Sequence, residues 1–334
     1  MPRPTTILIA VNDANLDRFL PAPLRAQIEA ITGKTVWFDP TDVAAAEWHA
    51  VVRDTNPDII VGCWSTPALP AELPPRTRYY CYLAGSVRPK VTRAQIEQGL
   101  LVTDWGSSIS RYIAEAALLH ILSCLRNTRY WTTEMHVNRG WQGDHGTTST
   151  LFNRSVGIHG FGRIARELVK LLSSFNCPIS VFAPDVDEEN APGLGVTASP
   201  SLEALFDQND VVVELAPLNA ATRGSVNATH FQLLSPGNVF VNVGRAGVTD
   251  EAALLAVAQA GEVMLGLDVF HAEPLAADSP LRGLRNVSLT PHNAGPTDDG
   301  GPSAGAFSVA NLIAYAEGRP LQSVITPAVY DQST

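Results

Sequence analysis

Short apolar runs alternate with longer amphipathic stretches in the first third of the chain. Continuous short apolar runs are typical of buried strands, whereas apolar residues that recur every three or four positions indicate helices. This pattern predicts helices between successive strands, which indicates a parallel sheet covered by helices on both faces. The predicted strands lie at 5–11, 35–38, 58–64, 78–84 and 100–104, and the helices at 16–32 and 43–53.

The same alternation returns after a long, largely apolar helix predicted at 110–127, and a second unit begins near Arg154. A helix at 250–260 and a final amphipathic helix at 304–317 complete the pattern. The sequence therefore predicts an α/β fold with two such units. The later strands of the second unit are predicted at 211–215, 239–243, 263–269 and 287–290.

A glycine-rich turn follows the first strand of the second unit. Gly160 and Gly162 come directly after an apolar run, and Ala165 occupies the third small position. Such a turn lets a pyrophosphate approach the backbone, and the N–H groups of the following helix bind the phosphates. Asp185, twenty residues past Ala165, ends the next strand-like run, where an acid can accept hydrogen bonds from an adenosine ribose. The alternative is a tight turn that binds nothing, but the flanking strands and the spaced acid favour dinucleotide binding.

Composition limits the classes of protein. A chain of 334 residues suggests about two domains, and a net charge of −10 argues against nonspecific nucleic-acid binding. No apolar run is long enough to span a bilayer, and residues 1–4 do not begin a signal peptide. The four cysteines are widely spaced in apolar runs, which indicates buried thiols rather than disulfides or a metal site. We therefore expect a soluble cytoplasmic protein without a bound metal or a membrane partner.

Several spaced motifs in the second half occur in a fixed order. With them, the sequence resembles the D-isomer-specific 2-hydroxyacid dehydrogenases, most strongly from about 151 to 296. Several ordered motifs are far more specific than one glycine loop. The motifs are 156–164, Pro217-Leu218 with Thr222-Arg223-Gly224, 241–254, and 267–274 with 286–295.

The resemblance implies two doubly wound parallel-sheet lobes with an active-site cleft between them. Residues 1–106 and 297–334 would form a flavodoxin-like substrate-binding domain, and residues 107–296 a Rossmann NAD-binding domain. It also implies a homodimer with the region 110–141 at the interface. A helix buried within one chain would have the same apolar sequence.

Oxidation of a 2-hydroxy acid removes a proton and a hydride, so the protein needs an acid–base group, a cation for the carboxylate and a bound nicotinamide. His292 follows Pro291 at a strand end and resembles the family's catalytic histidine, and Glu273 resembles its acid partner. Arg245 matches the arginine that binds the substrate carboxylate, since a guanidinium offers two parallel hydrogen bonds. The alternatives are a capping or core histidine, a solvated loop acid and a surface ion pair.

The resemblance also implies the binding residues. Asp268 would hydrogen-bond the nicotinamide carboxamide or, alternatively, cap a helix. The stretch Arg88-Pro89-Lys90 departs from relatives, which usually have an acid and an asparagine there, and 297–305 is also unusual. The expected cofactor-binding residues are Gly160, Phe161, Gly162, Arg163, Ile164, Asp185, Pro217, Thr222, Val243, Gly244, Asp268 and His292. The expected substrate-binding residues are Ala84, Gly85, Ser86, Arg245 and His292.

The sequence therefore predicts an NAD-dependent oxidoreductase that transfers a hydride between NAD(H) and a D-2-hydroxy acid or its 2-keto acid. One alternative is a formate dehydrogenase of the same fold, but those enzymes lack the acid partner that Glu273 would provide. Another is an NAD-sensing, corepressor-like binding protein, which can retain the same three residues. The remaining histidines belong to no motif and are interpreted as structural or exposed: His49, His120, His145, His159, His230 and His271.

Overall fold

A computed structural model of the protein describes residues 4–141 and 148–332. The chain divides into two compact units. Residues up to Ile109, together with those from Pro296 onward, form the first unit, and Ser110–Gly295 form the second. His145 and most of the N-terminal segment discussed above lie outside the described residues.

Strands and helices alternate along the described residues, numbered here in chain order. The strands are β1 (Thr6–Ala10), β2 (Lys34–Phe38), β3 (Ile59–Gly62), β4 (Tyr79–Tyr82), β5 (Leu101–Thr103), β6 (Val156–His159), β7 (Ile179–Phe182), β8 (Thr197–Ala198), β9 (Val211–Glu214), β10 (Val239–Asn242), β11 (Met264–Leu267) and β12 (Val287–Leu289). The helices are α1 (Asp13–Phe19), α2 (Ala22–Ile31), α3 (Ala45–Thr55), α4 (Arg93–Glu97), α5 (Ser110–Leu125), α6 (Thr128–His136), α7 (Arg163–Leu172), α8 (Leu202–Asp207), α9 (Ala228–Phe231), α10 (Glu251–Ala260), α11 (Gly301–Ala316) and α12 (Pro327–Gln332).

The sheet of the first unit has the strand order β2-β1-β3-β4-β5, and all of its strand pairs are parallel. This is the flavodoxin-like order of doubly wound folds. Every residue of β1, β3 and β4 is buried, as expected for central strands covered on both faces. Because the strands are parallel, the loops that follow β3, β4 and β5 begin at the same edge of the sheet.

The helix predicted at 16–32 is in fact two helices, α1 and α2, separated at Pro21. Proline has no N–H to donate, and its ring clashes with the preceding turn of a helix, so Pro21 ends the first helix. Pro23 is tolerated because it lies in the first turn of α2. Leu20 and Ile28 are nevertheless both buried, in line with the apolar pattern.

The sheet of the second unit has the order β12-β11-β10-β9-β6-β7-β8 and is also parallel throughout. The chain builds outward from β6 through β7 to β8 and then returns to the other side of β6 with β9. The strand order therefore reverses between β6 and β9, and in open α/β sheets ligands bind at the carboxyl ends of the strands at this switch point. The predicted fold class of two doubly wound parallel sheets is confirmed.

Helix α5 packs against the second sheet through small and apolar side chains. Ala114, Ala117 and Ile121 are completely buried in the core that also contains strand residues of β9 and β10. Farther along this helix, the side chain of His120 lies against β11 at Gly266. A Cβ atom on Gly266 would come within 2.7 Å of the Cβ of His120. The missing side chain of this glycine therefore allows the helix and the strand to approach closely.

Candidate active site

The glycine-rich turn connects β6 to α7, and its two glycines occupy their positions for different structural reasons. Gly160 has a φ angle of 86°, and a Cβ there would lie 2.6 Å from the Cα of Ala216. Only glycine fits that position. Gly162 caps α7, and apart from its own neighbours along the chain no heavy atom of the described residues lies within 4 Å of the position that its Cβ would occupy. The space over the N-terminus of this helix is therefore open on the side where a phosphate group would approach, and the turn fits a dinucleotide.

Two further expected cofactor positions follow β7 and β9, the strands that flank β6. Asp185 is exposed after β7, and its carboxylate has no hydrogen-bond or ion-pair partner among the residues that the structure describes. After β9, the hydroxyl of Thr222 donates to the carbonyl of Pro217 and accepts from the N–H of Asn219 at 2.9 Å. Thr222 therefore closes a rigid turn at the switch point, while the carboxylate of Asp185 is available to a ligand.

Arg245 lies in the loop after β10, beyond Val243 and Gly244. Asn242, which is buried, accepts a hydrogen bond from the N–H of Gly244 at 3.0 Å and donates to the carbonyl of Arg245 at 3.2 Å. Burial lowers the pKa of the Arg245 guanidinium, and the negative charge of nearby Glu273 offsets part of that effect. The structure thus brings a largely buried cation near the acid expected at the active site, and Asn242 braces its loop.

His292 and Glu273 form a hydrogen-bonded pair. Nδ1 of His292 lies 2.7 Å from Oε2 of Glu273, and Oε1 of the same carboxylate accepts the N–H of Phe270 at 2.9 Å. Because the carboxylate only accepts, Nδ1 carries the proton of this bond. The two side chains remain about half and one-third exposed, at 49% and 36%. The pair therefore has a fixed orientation and remains accessible to a small molecule.

The backbone at His292 is unusual, since its φ angle of 52° lies in the left-handed region. The next two N–H groups, of Asn293 and Ala294, donate to Oδ1 and Oδ2 of Asp268 at 3.0 and 2.9 Å. Asp268 is completely buried. Its expected contact with a nicotinamide carboxamide remains a prediction, and the structure shows that its oxygens already hold the backbone of the loop.

In the first unit, Ala84, Gly85 and Ser86 follow β4. A Cβ on Gly85 would lie 3.0–3.2 Å from the indole ring of Trp105, so this glycine lets the loop pack against the ring. The ammonium group of Lys90 donates to two backbone carbonyls of the loop after β3, one of them that of Trp64 at 2.8 Å. The stretch that departs from relatives therefore joins the β4 loop to the β3 loop.

The fold and these residues are matched by a known family. A family model described as D-isomer specific 2-hydroxyacid dehydrogenase, NAD binding domain, matches residues 118–294, which is more than half of the chain. The chain belongs to this family, whose members are oxidoreductases that act on CH–OH donors. The predicted family, the oxidoreductase class and the NAD-binding domain are thereby confirmed.

Individual relatives indicate the breadth of the family. Hydroxyphenylpyruvate reductase from Plectranthus scutellarioides is 33% identical over 236 residues, covering 70% of this chain and 72% of the relative. Glyoxylate/hydroxypyruvate reductase B from Shigella boydii is 32% identical over 203 residues, 60% of each chain, so this chain spans less than two thirds of that relative. The structure of an NADPH-dependent glyoxylate/hydroxypyruvate reductase from Sinorhizobium meliloti, solved with citrate, is 25% identical and superposes with a TM-score of 0.78, covering 97% of this chain and 98% of the other.

Two buried histidines without a sequence motif hydrogen-bond to side chains on distant elements. His120 contacts Thr290, and His159 contacts Glu214. His230 is buried and hydrogen-bonds within the first turn of α9, whereas His49 and His271 are exposed. No local sequence pattern predicted the hydrogen bonds of His120 and His159, because their partners lie far away in sequence.

Within residues 4–141 and 148–332, no group of three or more histidine, cysteine or acidic side chains is arranged to hold a metal ion. The cysteines are free thiols; three are buried and Cys177 is partly buried. No helix in the described part of the chain is both long and apolar enough to cross a membrane.

Proposed function

We propose that this protein interconverts a D-2-hydroxy acid and its 2-keto acid with NAD(H). The observation that carries the proposal is the His292–Glu273 pair, whose carboxylate also acts on the largely buried cation of Arg245. These groups lie in the unit that contains the glycine turn at Gly160 and Gly162. An acid–base group, a cation and a nucleotide-binding turn are the parts that hydride transfer to a keto acid requires.

Each residue has a separate role in the proposed reaction. In reduction, His292 would donate a proton from Nε2 to the substrate oxygen, and in oxidation it would accept that proton. Glu273 holds Nδ1 and thereby fixes both the tautomer and the ring orientation. The bound nicotinamide would supply or accept the hydride. Arg245 would bind the substrate carboxylate, and in the first unit the main-chain N–H groups at 84–86 would offer it further hydrogen bonds.

The proposed cofactor is NAD rather than NADP. Asp185 presents an exposed carboxylate that would accept hydrogen bonds from the ribose hydroxyls and repel a 2′-phosphate. No arginine follows within four residues, where the chain instead has two glutamates and an aspartate. The relative from Sinorhizobium meliloti is NADPH-dependent, so cofactor choice within the family must be measured. Contacts with the rest of the cofactor are proposed for Phe161, Arg163, Ile164, Pro217, Thr222, Val243, Gly244 and Asp268.

The proposed substrate carries a large apolar side chain. Trp64 follows β3 at the edge of the sheet where Gly85 follows β4, and it is 43% exposed. Its ring lies edge-on to Trp105 with the centroids 5.7 Å apart, and Trp105 also contacts the Gly85 loop. Exposed aromatic faces favour planar apolar groups. The relative from Plectranthus scutellarioides, named for an aromatic 2-keto acid, supports this choice.

We also propose a homodimer that uses the region 110–141. This region, in its helices and just after α6, exposes large apolar side chains whose burial against a second copy would be favourable. The exposed residues are Leu119, Met135, Val137 and Trp141. The free thiols support the proposal of a reducing, cytoplasmic location.

The experiment that tests the function is a panel of keto acids with NADH or NADPH as reductant. Phenylpyruvate and 4-hydroxyphenylpyruvate should be reduced faster than glyoxylate and hydroxypyruvate, and NADH should be preferred. His292→Ala is the control for turnover at this site. If the protein binds NADH but reduces none of these acids, the corepressor-like alternative replaces our proposal, and if it oxidises formate, the formate dehydrogenase alternative does.

A further inference from the structure

Two buried side chains, of His120 and Asp268, and the partly buried side chain of Thr290 form a hydrogen-bonded row behind the loop that holds His292. Nε2 of His120 on α5 lies 2.8 Å from the hydroxyl oxygen of Thr290, and that oxygen lies 2.6 Å from Oδ1 of Asp268. His120 and Asp268 are 1% and 0% exposed. The row therefore runs from the buried face of α5 to the carboxyl ends of β11 and β12 in the second unit.

The donors and acceptors along this row can be assigned. An ionised carboxylate only accepts, so the hydroxyl of Thr290 donates to Asp268, and Nε2–H of His120 must donate to the hydroxyl. Burial lowers the pKa of His120, while the charge of Asp268 partly opposes that effect. A neutral ring protonated at Nε2 fits both observations. Nδ1 has no hydrogen-bond partner among the described residues, so Thr290 receives the ring's only polar contact.

The far end of the row holds the backbone on the C-terminal side of His292. Asp268 accepts the N–H groups of Asn293 and Ala294, the first two residues after the left-handed conformation of His292. A residue with a side chain stays in that region only when its surroundings hold it there. The two bonds to Asp268 supply that restraint, and the row behind them holds Asp268 in place.

We propose that His120 is a positioning residue of the active site, which acts through Thr290 and Asp268 to hold His292 in its working orientation. The inference rests on the proposed function only in treating His292 as the acid–base group. Gly266 supports it, because the absence of a side chain there lets α5 bring His120 against β11. The row thus couples the orientation of His292 to a helix that contains none of the expected catalytic or cofactor-binding residues.

The first test uses Thr290, which can lose its hydroxyl while almost keeping its shape. Thr290→Val should lower kcat by about tenfold to a hundredfold, the scale expected when an acid–base group is displaced by about 1 Å. The KM for NADH should change less than kcat. Thr290→Ser keeps the hydroxyl and should retain most of the activity. If Thr290→Ser loses as much activity as Thr290→Val, the hydroxyl is not the relevant group and the proposal is wrong.

The second test uses His120 and a matched buried histidine. His120→Leu should lower kcat, as Thr290→Val does. His120→Gln, which keeps a hydrogen-bond donor, should retain more activity. His230 is buried in the same unit but belongs neither to the row nor to the expected active site. His230→Leu therefore controls for a general loss of stability. Equal losses of kcat in His120→Leu and His230→Leu would contradict a specific role for His120. If His120→Leu does not fold, the Thr290 pair decides.

A readout without cofactor or substrate separates this inference from the function itself. Local opening of the loop exposes amide groups to hydrogen–deuterium exchange, so in Thr290→Val the amides of Asn293 and Ala294 should exchange about tenfold faster, measured on a peptide covering 287–296. In Thr290→Ser their exchange should not accelerate. Unchanged exchange in Thr290→Val would overturn the positioning role. A wild-type enzyme that reduces no keto acid would overturn the proposed function, and the exchange result would still decide whether the row restrains this loop.

Discussion

His159 and Glu214 are register partners on β6 and β9, and their buried side chains share a hydrogen bond of 2.6 Å at the switch point of the second sheet. The other oxygen of Glu214 accepts the N–H of Ala216 at 2.8 Å, in the loop that packs against Gly160. This pair therefore links the two strand ends between which the dinucleotide is proposed to bind.

Removal of both members of this pair should destabilise the protein by less than the two single removals added together. Glu214→Leu leaves the imidazole of His159 and the N–H of Ala216 buried without their acceptor, and should lower the free energy of unfolding by about 3 kcal/mol. The double variant His159→Ile with Glu214→Leu should lose less than the sum of the single variants. Urea denaturation of all four proteins measures this, and additive losses would show that the two side chains are not coupled.

Glu273→Gln should slow catalysis in both directions. The two carboxylate oxygens each accept a hydrogen bond, one from Nδ1–H of His292 and one from the N–H of Phe270, whereas glutamine nearly keeps the shape but has only one acceptor oxygen. One of the two hydrogen bonds is therefore lost, so kcat should fall while the KM for NADH changes less. Initial rates at saturating cofactor that equal those of the wild type would exclude this role, and His292→Ala should lower both rates by about 10²–10⁴-fold.

Arg245→Ala should weaken transition-state binding of the keto acid with little effect on NADH. A lost charge-assisted hydrogen-bond pair corresponds to about 2–4 kcal/mol in kcat/KM. Arg245→Lys is the matched control, since it keeps the charge but not the two parallel hydrogen bonds, and should recover only part of the loss. Steady-state kinetics and NADH fluorescence titration measure both quantities. A large loss of NADH affinity in Arg245→Ala would instead assign this residue to the cofactor.

Replacement of Asp185 should relax the preference for NADH. Asp185→Ser removes the charge that would repel a 2′-phosphate, so kcat/KM with NADPH relative to NADH should rise by about tenfold, equivalent to about 1.4 kcal/mol. Glu188→Gln removes another exposed acid from the same loop and should leave the ratio nearly unchanged. Equal ratios for the wild type and Asp185→Ser would place the cofactor discrimination elsewhere.

The buried thiols should react slowly in the folded protein. Burial raises the pKa of Cys63 and of Cys124 to about 12, so at pH 8 only about one thiol in ten thousand is a reactive thiolate. Labelling with iodoacetamide and peptide mapping should show slow modification that accelerates about tenfold from pH 8 to pH 9. Unfolding in guanidinium should make all four cysteines reactive. Rapid labelling of native Cys63 at pH 8 would contradict the burial.

The sequence by itself determined the elements that depend on local patterns. Buried strands stand out as apolar runs, and the turn at Gly160 and Gly162 is marked by residue types that this backbone geometry requires. The expected positions of Arg245, Glu273 and His292 came from ordered motifs, and the structure brings these three into one unit. Helix α6 was not predicted, because its polar and aromatic residues lack a clear apolar period, whereas the break at Pro21 follows from a rule that the sequence already contained.

Only the tertiary structure decided which polar side chains of distant elements meet. His120 and Thr290 lie 170 positions apart, and His159 and Glu214 lie 55 apart. No spacing within a helix or strand links such positions, since a pattern reports only which face of its own element a residue occupies. Packing of α5 on β11 and pairing of β6 with β9 place the partners within hydrogen-bond distance. Those contacts depend on how distant elements pack together, which the local sequence does not encode.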